Sequence, residues 1–141
     1  MIYLDSAAVV KLVVAEPESP ALVDWLNARG ELPRFTSALA EVEVARAIRR
    51  AVPEVVGRVP RVLERMYRLE IDAHVRAVAA ALDDPLLRSL AAIHLATALR
   101  LVDENDIQLD AFVTYDRRLL EAARRADLPT ASPGPSSAAE S

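Results

Sequence analysis

The sequence contains no cysteine, and among its 141 residues Lys11 is the only lysine. Without thiols the chain can form no disulfide, no zinc–thiolate site and no thiolate nucleophile. It also lacks any run that approaches the roughly 20 apolar residues of a membrane-spanning helix. Its first residues carry neither the basic region nor the apolar core of a secretory signal, so a cytoplasmic location is the expectation.

Net positive charge is also absent, since the formal net charge is −4. No global positive field would attract nucleic acid, so any such contact must come from a local patch. Apart from Lys11 the cations are arginines, which suit bidentate phosphate contacts, although an arginine-rich genome would give the same composition. The length and the 52% hydrophobic content indicate one globular domain with a substantial core.

Short apolar strands alternate with helical periods along the chain. The pattern predicts strands at residues 2–4, 34–36, 69–71 and 111–114, with helices between them that include 86–102 and 117–126. This alternation predicts a three-layer α/β/α fold with a central parallel sheet of about four to five strands. We expect one domain over residues 1–131, followed by a disordered tail over 132–141 that is rich in serine and proline.

Two aspartates lie immediately beyond or within two residues of the ends of predicted strands. Asp5 comes after the first strand and Asp116 after the fourth, where α/β proteins form their functional crevice. Two carboxylates about 4 Å apart repel by roughly 4 kcal/mol at an effective dielectric near 20, so such a pair requires a proton or a cation. Oxygen ligands favour Mg²⁺, with Mn²⁺ as an alternative. Equally, each aspartate could simply cap the helix that follows it.

Glu43 lies between two valines on a largely apolar helix, where an unpaired carboxylate would be costly to bury. The ordinary alternative is a solvated or arginine-paired glutamate, which is the role expected for Glu41. Arg46 and Arg50 share roughly the same helical face as Glu43. They either pair with Glu43 or extend from a metal site toward a phosphate backbone.

Four segments together resemble VapC-type PIN domains, the ribonuclease toxins of type II toxin–antitoxin systems. They are IYLDSAAVVKL at residues 2–12, TSALAEVEVARA at 36–47, LRSLAAIHLA at 87–96 and AFVTYDRRL at 111–119. Each segment is a weak signal alone, but the four occur in order over residues 1–131. The resemblance implies an Mg²⁺-dependent endoribonuclease whose metal site includes Asp5, Glu43 and Asp116.

The chain departs from the family pattern at two positions. Ala7 replaces a frequent serine, and Ala91 stands where the family carries another acidic residue. A methyl group cannot bind metal or orient water, so we expect this chain to be catalytically impaired. The intact residues around Ala91 favour a single deliberate change that disarms a toxic nuclease, and the alternative is a natural pseudoenzyme.

The resemblance also implies partners. A VapB-type antitoxin would cover the acidic pocket, RNA would be the substrate, and two copies of the chain would form a homodimer. Arg46, Arg50 and Arg117 are candidates to contact RNA or phosphate. His94, three residues after Ala91, could act as an acid or a metal ligand, but a packed and hydrogen-bonded histidine is the favoured interpretation.

Other classes of function are less compatible with the sequence. A response-regulator receiver needs a lysine late in the chain, and a haloacid-dehalogenase-type phosphatase needs an aspartate where Ala7 stands. Ala91 favours one real alternative, a non-catalytic PIN-like module that binds a protein partner or RNA without cutting it.

Overall fold

A parallel sheet lies at the centre of the fold in the computed structural model, which describes residues 1–135. Its order is β3-β2-β1-β4-β5, and every neighbouring pair is parallel. The strands are β1 (Ile2–Leu4), β2 (Arg34–Ser37), β3 (Tyr67–Leu69), β4 (Ala111–Val113) and β5 (Thr130–Ala131). The predicted parallel α/β architecture is therefore confirmed.

Helices cover both faces of this sheet. They are α1 (Ser6–Val13), α2 (Ser19–Asn27), α3 (Leu39–Ala51), α4 (Val59–Leu63), α5 (Ala73–Ala81), α6 (Ser89–Asn105) and α7 (Arg117–Arg125), with a 3₁₀ segment at Pro53–Arg58. Within residues 1–135, none of the helices is long and apolar enough to cross a membrane.

The alternation of side chains along the central strand creates the two cores. Ile2 and Leu4 of β1 belong to a buried cluster formed with α1 to α4. Tyr3 points to the other face and joins a cluster formed with β4, α6 and α7. Phe112 of β4 lies in this second cluster, where its ring stacks on that of Tyr3 with the centroids 5.2 Å apart. The period of two in β1 and β4 thus explains the three layers.

The direction of the chain across the sheet reverses between β1 and β4. From β1 the chain first adds β2 and β3 on one side, and then returns to add β4 and β5 on the other. A crevice forms beyond the carboxyl ends of the strands at such a switch point. Asp5 follows β1 directly and Asp116 lies three residues beyond the end of β4, so both aspartates fall at this crevice.

Some element boundaries differ from the sequence prediction. β3 lies two residues earlier than predicted because Tyr67 pairs with Phe35 of β2 in the parallel register and stacks on its ring. α6 begins at Ser89, since a turn from Asp84 to Leu87 and the extended backbone of Arg88 precede it. β5 has only two residues, too few for a periodic signal.

The predicted tail over residues 132–141 is only partly within the described chain, which ends at residue 135. Its first residues are attached to the domain, because the Ser132 hydroxyl donates to the backbone oxygen of Thr114 at 2.5 Å. The Tyr115 hydroxyl also donates to the carbonyl of Pro133 at 2.5 Å. Residues 136–141 lie outside the described part of the chain.

Candidate active site

A cavity of about 330 Å³ opens at the carboxyl ends of β1 and β4. Three acidic side chains from distant parts of the sequence line it, namely Asp5 after β1, Glu43 on α3 and Asp116 before α7. The structure therefore brings together the three carboxylates that the sequence patterns single out. Ala91 on α6 also lines this cavity.

Asp5 is the most enclosed of the three, with only 4% of its surface exposed. Its Oδ1 accepts a hydrogen bond from the backbone N–H of Ala8 at 2.9 Å, and its Oδ2 accepts from the Thr114 hydroxyl at 2.6 Å. Burial raises the pKa of the Asp5 carboxyl, and the nearby charge of Asp116 adds to this increase. His94, Thr114 and Ala8 oppose the increase in pKa. The charged form of Asp5 is thus held in an unfavourable position.

Asp116, in contrast, is exposed at the mouth of the cavity. Its Oδ1 accepts hydrogen bonds from the backbone N–H groups of Arg118 at 2.9 Å and Leu119 at 3.3 Å, which caps α7. Asp5 caps α1 in the same way through Ala8. The helix-cap interpretation and the cavity interpretation therefore both hold, since each aspartate caps a helix and lines the cavity.

Glu43 is half-buried and accepts two close hydrogen bonds on one oxygen. Its Oε1 lies 2.6 Å from the Ser6 hydroxyl and 3.0 Å from Nε2 of His94. Burial alone would raise the pKa of Glu43, but the hydrogen bonds from His94 and Ser6 outweigh it and lower the pKa below its ordinary value. Within residues 1–135, Glu43 forms no ion pair with Arg46 or Arg50. The pairing alternative from the sequence is therefore wrong for these two arginines.

His94 is buried behind Glu43, with 3% of its surface exposed. Its Nδ1 lies 2.8 Å from the hydroxyl of Tyr3. Burial, reinforced by the charge of Asp5, raises the pKa of Tyr3 well above its ordinary value, so the phenol stays neutral. His94 has the contacts of a packed, hydrogen-bonded histidine, which is the interpretation that the sequence favours.

The arginines predicted to contact RNA lie around the cavity. Arg46 and Arg50 line an adjoining groove of about 670 Å³, which shares Ser6 and Glu43 with the acidic cavity. Arg117, with 91% of its side chain exposed, lines a neighbouring depression together with Asp116. Arg88, which the sequence analysis does not single out, lines both that depression and the acidic cavity.

The donor set fits a hydrated divalent cation better than a fully enclosed one. Within residues 1–135, no three acidic or histidine side chains are close enough together to form a complete metal site. Mg²⁺, however, is commonly held by one or two carboxylates while it keeps several waters and phosphate ligands. Asp5 and Asp116 supply two carboxylates on one cavity, and the charge of Asp116 makes a small further contribution to the raised pKa of Asp5, which a bound cation would offset. Ala91 lies on the lining where a carboxylate would add a ligand.

Sequence reasoning does not identify two further residues of this site. Ser6 is the donor to Glu43, and Thr114 is the donor to Asp5. Both are small hydroxyl residues next to a predicted strand end, and that position is the one signal that could have drawn attention to them. Ala7 is on the cavity lining as well.

The chain matches a family model described as PIN domain over residues 2–125. It is 54% identical over 134 residues to Ribonuclease VapC35 of Mycobacterium tuberculosis, with 95% of this chain and 98% of the relative covered. It is also 41% identical over 138 residues to Ribonuclease VapC47 of the same organism, again with 95% and 98% covered.

Solved structures show the same fold at low sequence identity. FitAcB from Neisseria gonorrhoeae superposes with a TM-score of 0.69 at 18% identity, covering 94% of this chain and 98% of that one. VapBC2 from Rickettsia felis, bound to a DNA fragment from their promoter, superposes with a TM-score of 0.68 at 13% identity, covering 93% and 98%.

The raised pKa of Asp5 makes stability depend on pH in a definite direction. The folded protein favours the neutral carboxyl, so this group supports folding fully below the ordinary aspartate pKa of about 4. That support is lost as pH rises through the higher pKa of the folded state. Asp5→Asn keeps an oxygen for the Ala8 N–H and removes the charge, while its amide N–H would donate to the Thr114 hydroxyl that now donates to Asp5. We expect it to stabilise the protein at pH 7.5 by on the order of 1 kcal/mol, with the gain vanishing near pH 4.

Urea unfolding at a series of pH values measures this effect. Asp103→Asn makes the same chemical change on the exposed surface of α6 and should alter stability by less than about 0.5 kcal/mol. An Asp5→Asn protein that is less stable than the parent at pH 7.5 would contradict the inference that the charged, buried Asp5 carboxylate lowers stability.

Proposed function

The chain belongs to the PIN-domain family, and on that premise we propose that it is a VapC-type toxin whose parent activity is metal-dependent hydrolysis of RNA. The observation that carries the proposal is the convergence of Asp5, Glu43 and Asp116 on one cavity at the switch point of the sheet. The ribonuclease names of the relatives that match nearly the whole chain support the same activity.

Asp5 and Asp116 are the residues that would hold Mg²⁺, directly or through water. When bound, the ion polarises the phosphate and lowers the pKa of a water. Glu43 keeps its negative charge and accepts both of its hydrogen bonds on Oε1. In our proposal its other oxygen orients the attacking water. No covalent enzyme intermediate is required.

The arginines around the cavity would position the RNA. Arg46 and Arg50 line the groove that continues from Glu43, and Arg117 stands exposed beside Asp116. Contacts of this kind fix the register of a nucleic acid through its phosphates and carry little sequence information. The acidic cavity between the two basic regions would then receive the scissile phosphate together with its cation.

Because of Ala91, we expect this chain to be less active than a relative that carries an acidic residue at the same position. The methyl group lines the cavity but provides no ligand, so we propose that the chain as it stands binds Mg²⁺ weakly and cleaves RNA little or not at all. The same residue supports a second candidate, a PIN module that binds a protein partner or RNA without cutting it.

A VapB-type antitoxin is the partner we propose, and one surface has a suitable chemistry. In addition to the acidic pocket that such an antitoxin would cover, a cavity of about 370 Å³ lies where β2 and β3 begin, lined by Arg34, the first residue of β2, and Met66, just before β3. Its floor is apolar, with Leu12, Leu26 and Met66, and four arginines surround it, namely Arg34, Arg58, Arg61 and Arg65. Burial and the neighbouring charge of Arg65 lower the pKa of Arg34, as expected where like charges meet. An acidic segment with apolar anchors fits this surface.

A homodimer is the further assembly we propose. Val42 on α3 and Leu90 on α6 are apolar side chains that are 58% and 50% exposed. A second copy would remove this apolar surface from water. Sedimentation velocity of the purified chain checks the proposal, and a monomer at micromolar concentration contradicts it.

Restoring the acid at position 91 tests the parent activity. We expect Ala91→Asp to increase Mg²⁺-dependent cleavage of labelled RNA oligonucleotides by 10- to 100-fold or more, because a lost metal-site partner typically costs about that much. Ala91→Asn is the matched control, since it adds the same volume without the charge and should stay inactive. If a folded Ala91→Asp protein cuts no RNA in a broad panel, the non-catalytic module becomes the better proposal.

Charge reversal tests whether the arginine-lined cavity of about 370 Å³ binds an acidic partner segment. A fluorescent helical peptide with leucines on one face and glutamates beside them serves as the probe. We expect Arg61→Glu with Arg65→Glu to weaken its binding at least about 10-fold at low salt, because like charges then face each other. Arg49→Glu, on the exposed surface of α3 outside this cavity, should change binding little. Equal weakening by both changes would show only a general charge effect.

A further inference from the structure

A chain of buried polar groups connects the central strand to Glu43. The Tyr3 hydroxyl lies 2.8 Å from Nδ1 of His94, and Nε2 of His94 lies 3.0 Å from Oε1 of Glu43. Ser6 closes the group, with its hydroxyl 3.0 Å from the same Nε2 and 2.6 Å from the same Oε1. These contacts link residues up to 91 positions apart in the sequence.

The geometry determines where the protons lie. Glu43 Oε1 and a bare Nε2 would both be acceptors, and 3.0 Å apart they would repel, so Nε2 must carry a hydrogen. The Ser6 hydroxyl gives its proton to Glu43 at the shortest of these distances. The phenol of Tyr3 is neutral and can donate to Nδ1. A ring with its hydrogen on Nε2 and a bare Nδ1 satisfies all of these contacts, since Nε2 donates to Glu43 and Nδ1 accepts from the Tyr3 phenol.

We propose that His94 is a positioning residue, which holds Oε1 of Glu43 through Nε2–H while Tyr3 fixes its ring from behind. Both hydrogen bonds that the described residues give to Glu43 fall on Oε1, which leaves Oε2 for water or a hydrated cation at the cavity. A histidine held by a second group in this way keeps one ring orientation and one tautomer. The catalytic consequence rests on the ribonuclease activity proposed above, whereas the tautomer does not.

A purely structural role would explain why His94 is buried, but it would not explain why two polar side chains, Tyr3 and His94, occupy these positions instead of apolar ones. Tyr3 and His94 lie beside an otherwise apolar core cluster, where apolar side chains of similar volume would fill the space without any polar group to satisfy. Within residues 1–135, no buried side-chain nitrogen or oxygen lacks a hydrogen-bond partner. The network is thus fully satisfied, and it ends on a carboxylate that lines the cavity. That endpoint distinguishes a positioning role from packing.

Nitrogen-15 NMR of the His94 ring in the unaltered chain tests the tautomer at pH 7.5. We expect the shift pattern of a neutral ring with Nε2 protonated and Nδ1 bare. In Tyr3→Phe the ring of residue 3 still stacks on Phe112 but donates nothing, so the Nδ1 signal should move toward that of a nitrogen without a hydrogen-bond donor, while Glu43 keeps the hydrogen on Nε2. A ring that is protonated on Nδ1 in the unaltered chain, or one whose signals Tyr3→Phe does not change, overturns the proposal.

Leu95→Val is the matched control, because Leu95 is buried in the same cluster and makes none of these hydrogen bonds. It should lower stability without changing the His94 signals.

A second readout addresses Glu43 in the Ala91→Asp protein. There Tyr3→Phe should reduce kcat for a labelled RNA by roughly 10-fold with little change in KM. It should also raise the Mg²⁺ concentration needed for half-maximal activity by roughly 10-fold, because Mg²⁺ then binds more weakly. Leu95→Val should leave all three constants within about twofold. If Ala91→Asp is itself inactive while the NMR pattern is as expected, the proposed ribonuclease function fails and the positioning of Glu43 stands. If Tyr3→Phe leaves both kcat and the Mg²⁺ dependence unchanged, the positioning role is wrong.

Discussion

The burial of a carboxylate at the end of the central strand is the constraint on which the site depends. Asp5 is 4% exposed, and a charged group in such a position is costly unless it is paired and hydrogen-bonded. The chain supplies one donor to each oxygen, the N–H of Ala8 in α1 and the hydroxyl of Thr114 after β4. Those two hydrogen bonds connect α1 and the segment after β4 to the same carboxylate, that of Asp5. The placement of the cavity follows from this arrangement.

The same principle governs Glu43, with a different outcome. Its two hydrogen bonds outweigh burial and keep it charged, whereas burial prevails at Asp5. Two carboxylates in one cavity therefore differ in how readily each holds a proton. Such a difference in pKa between neighbouring carboxyl groups is common where acidic side chains have distinct chemical roles. The difference arises from the deeper burial of Asp5 and from the donors to Glu43 on α1 and α6, not from the identity of the acids.

Much of the fold and the positions of the two aspartates could be predicted from the sequence, because both depend on patterns within a few neighbouring residues. Apolar strands followed closely by aspartate indicate that Asp5 and Asp116 share a crevice, and both line one cavity in the structure. The period of two in β1 accounts for both cores. The contacts of Tyr3 with His94 and of Thr114 with Asp5 join residues 91 and 109 positions apart, and no periodicity encodes them. The start of α6 was missed for a related reason, since Leu86 and Leu87 continue its apolar pattern while the Asp84–Leu87 turn excludes them.

The attachment of residues 132 and 133 has a practical consequence for anyone who shortens or extends this protein. Ser132 and Pro133 bind the backbone of Thr114 and the side chain of Tyr115, the two residues between β4 and Asp116. Trimming the chain at the last strand residue, Ala131, would remove both of these hydrogen bonds and leave the Thr114 backbone held to β5 by its N–H bond to Ala131. A purification handle fused at that point would start at the residue that bonds to the Thr114 backbone, whereas a handle placed after residue 135 keeps both bonds to residues 132 and 133.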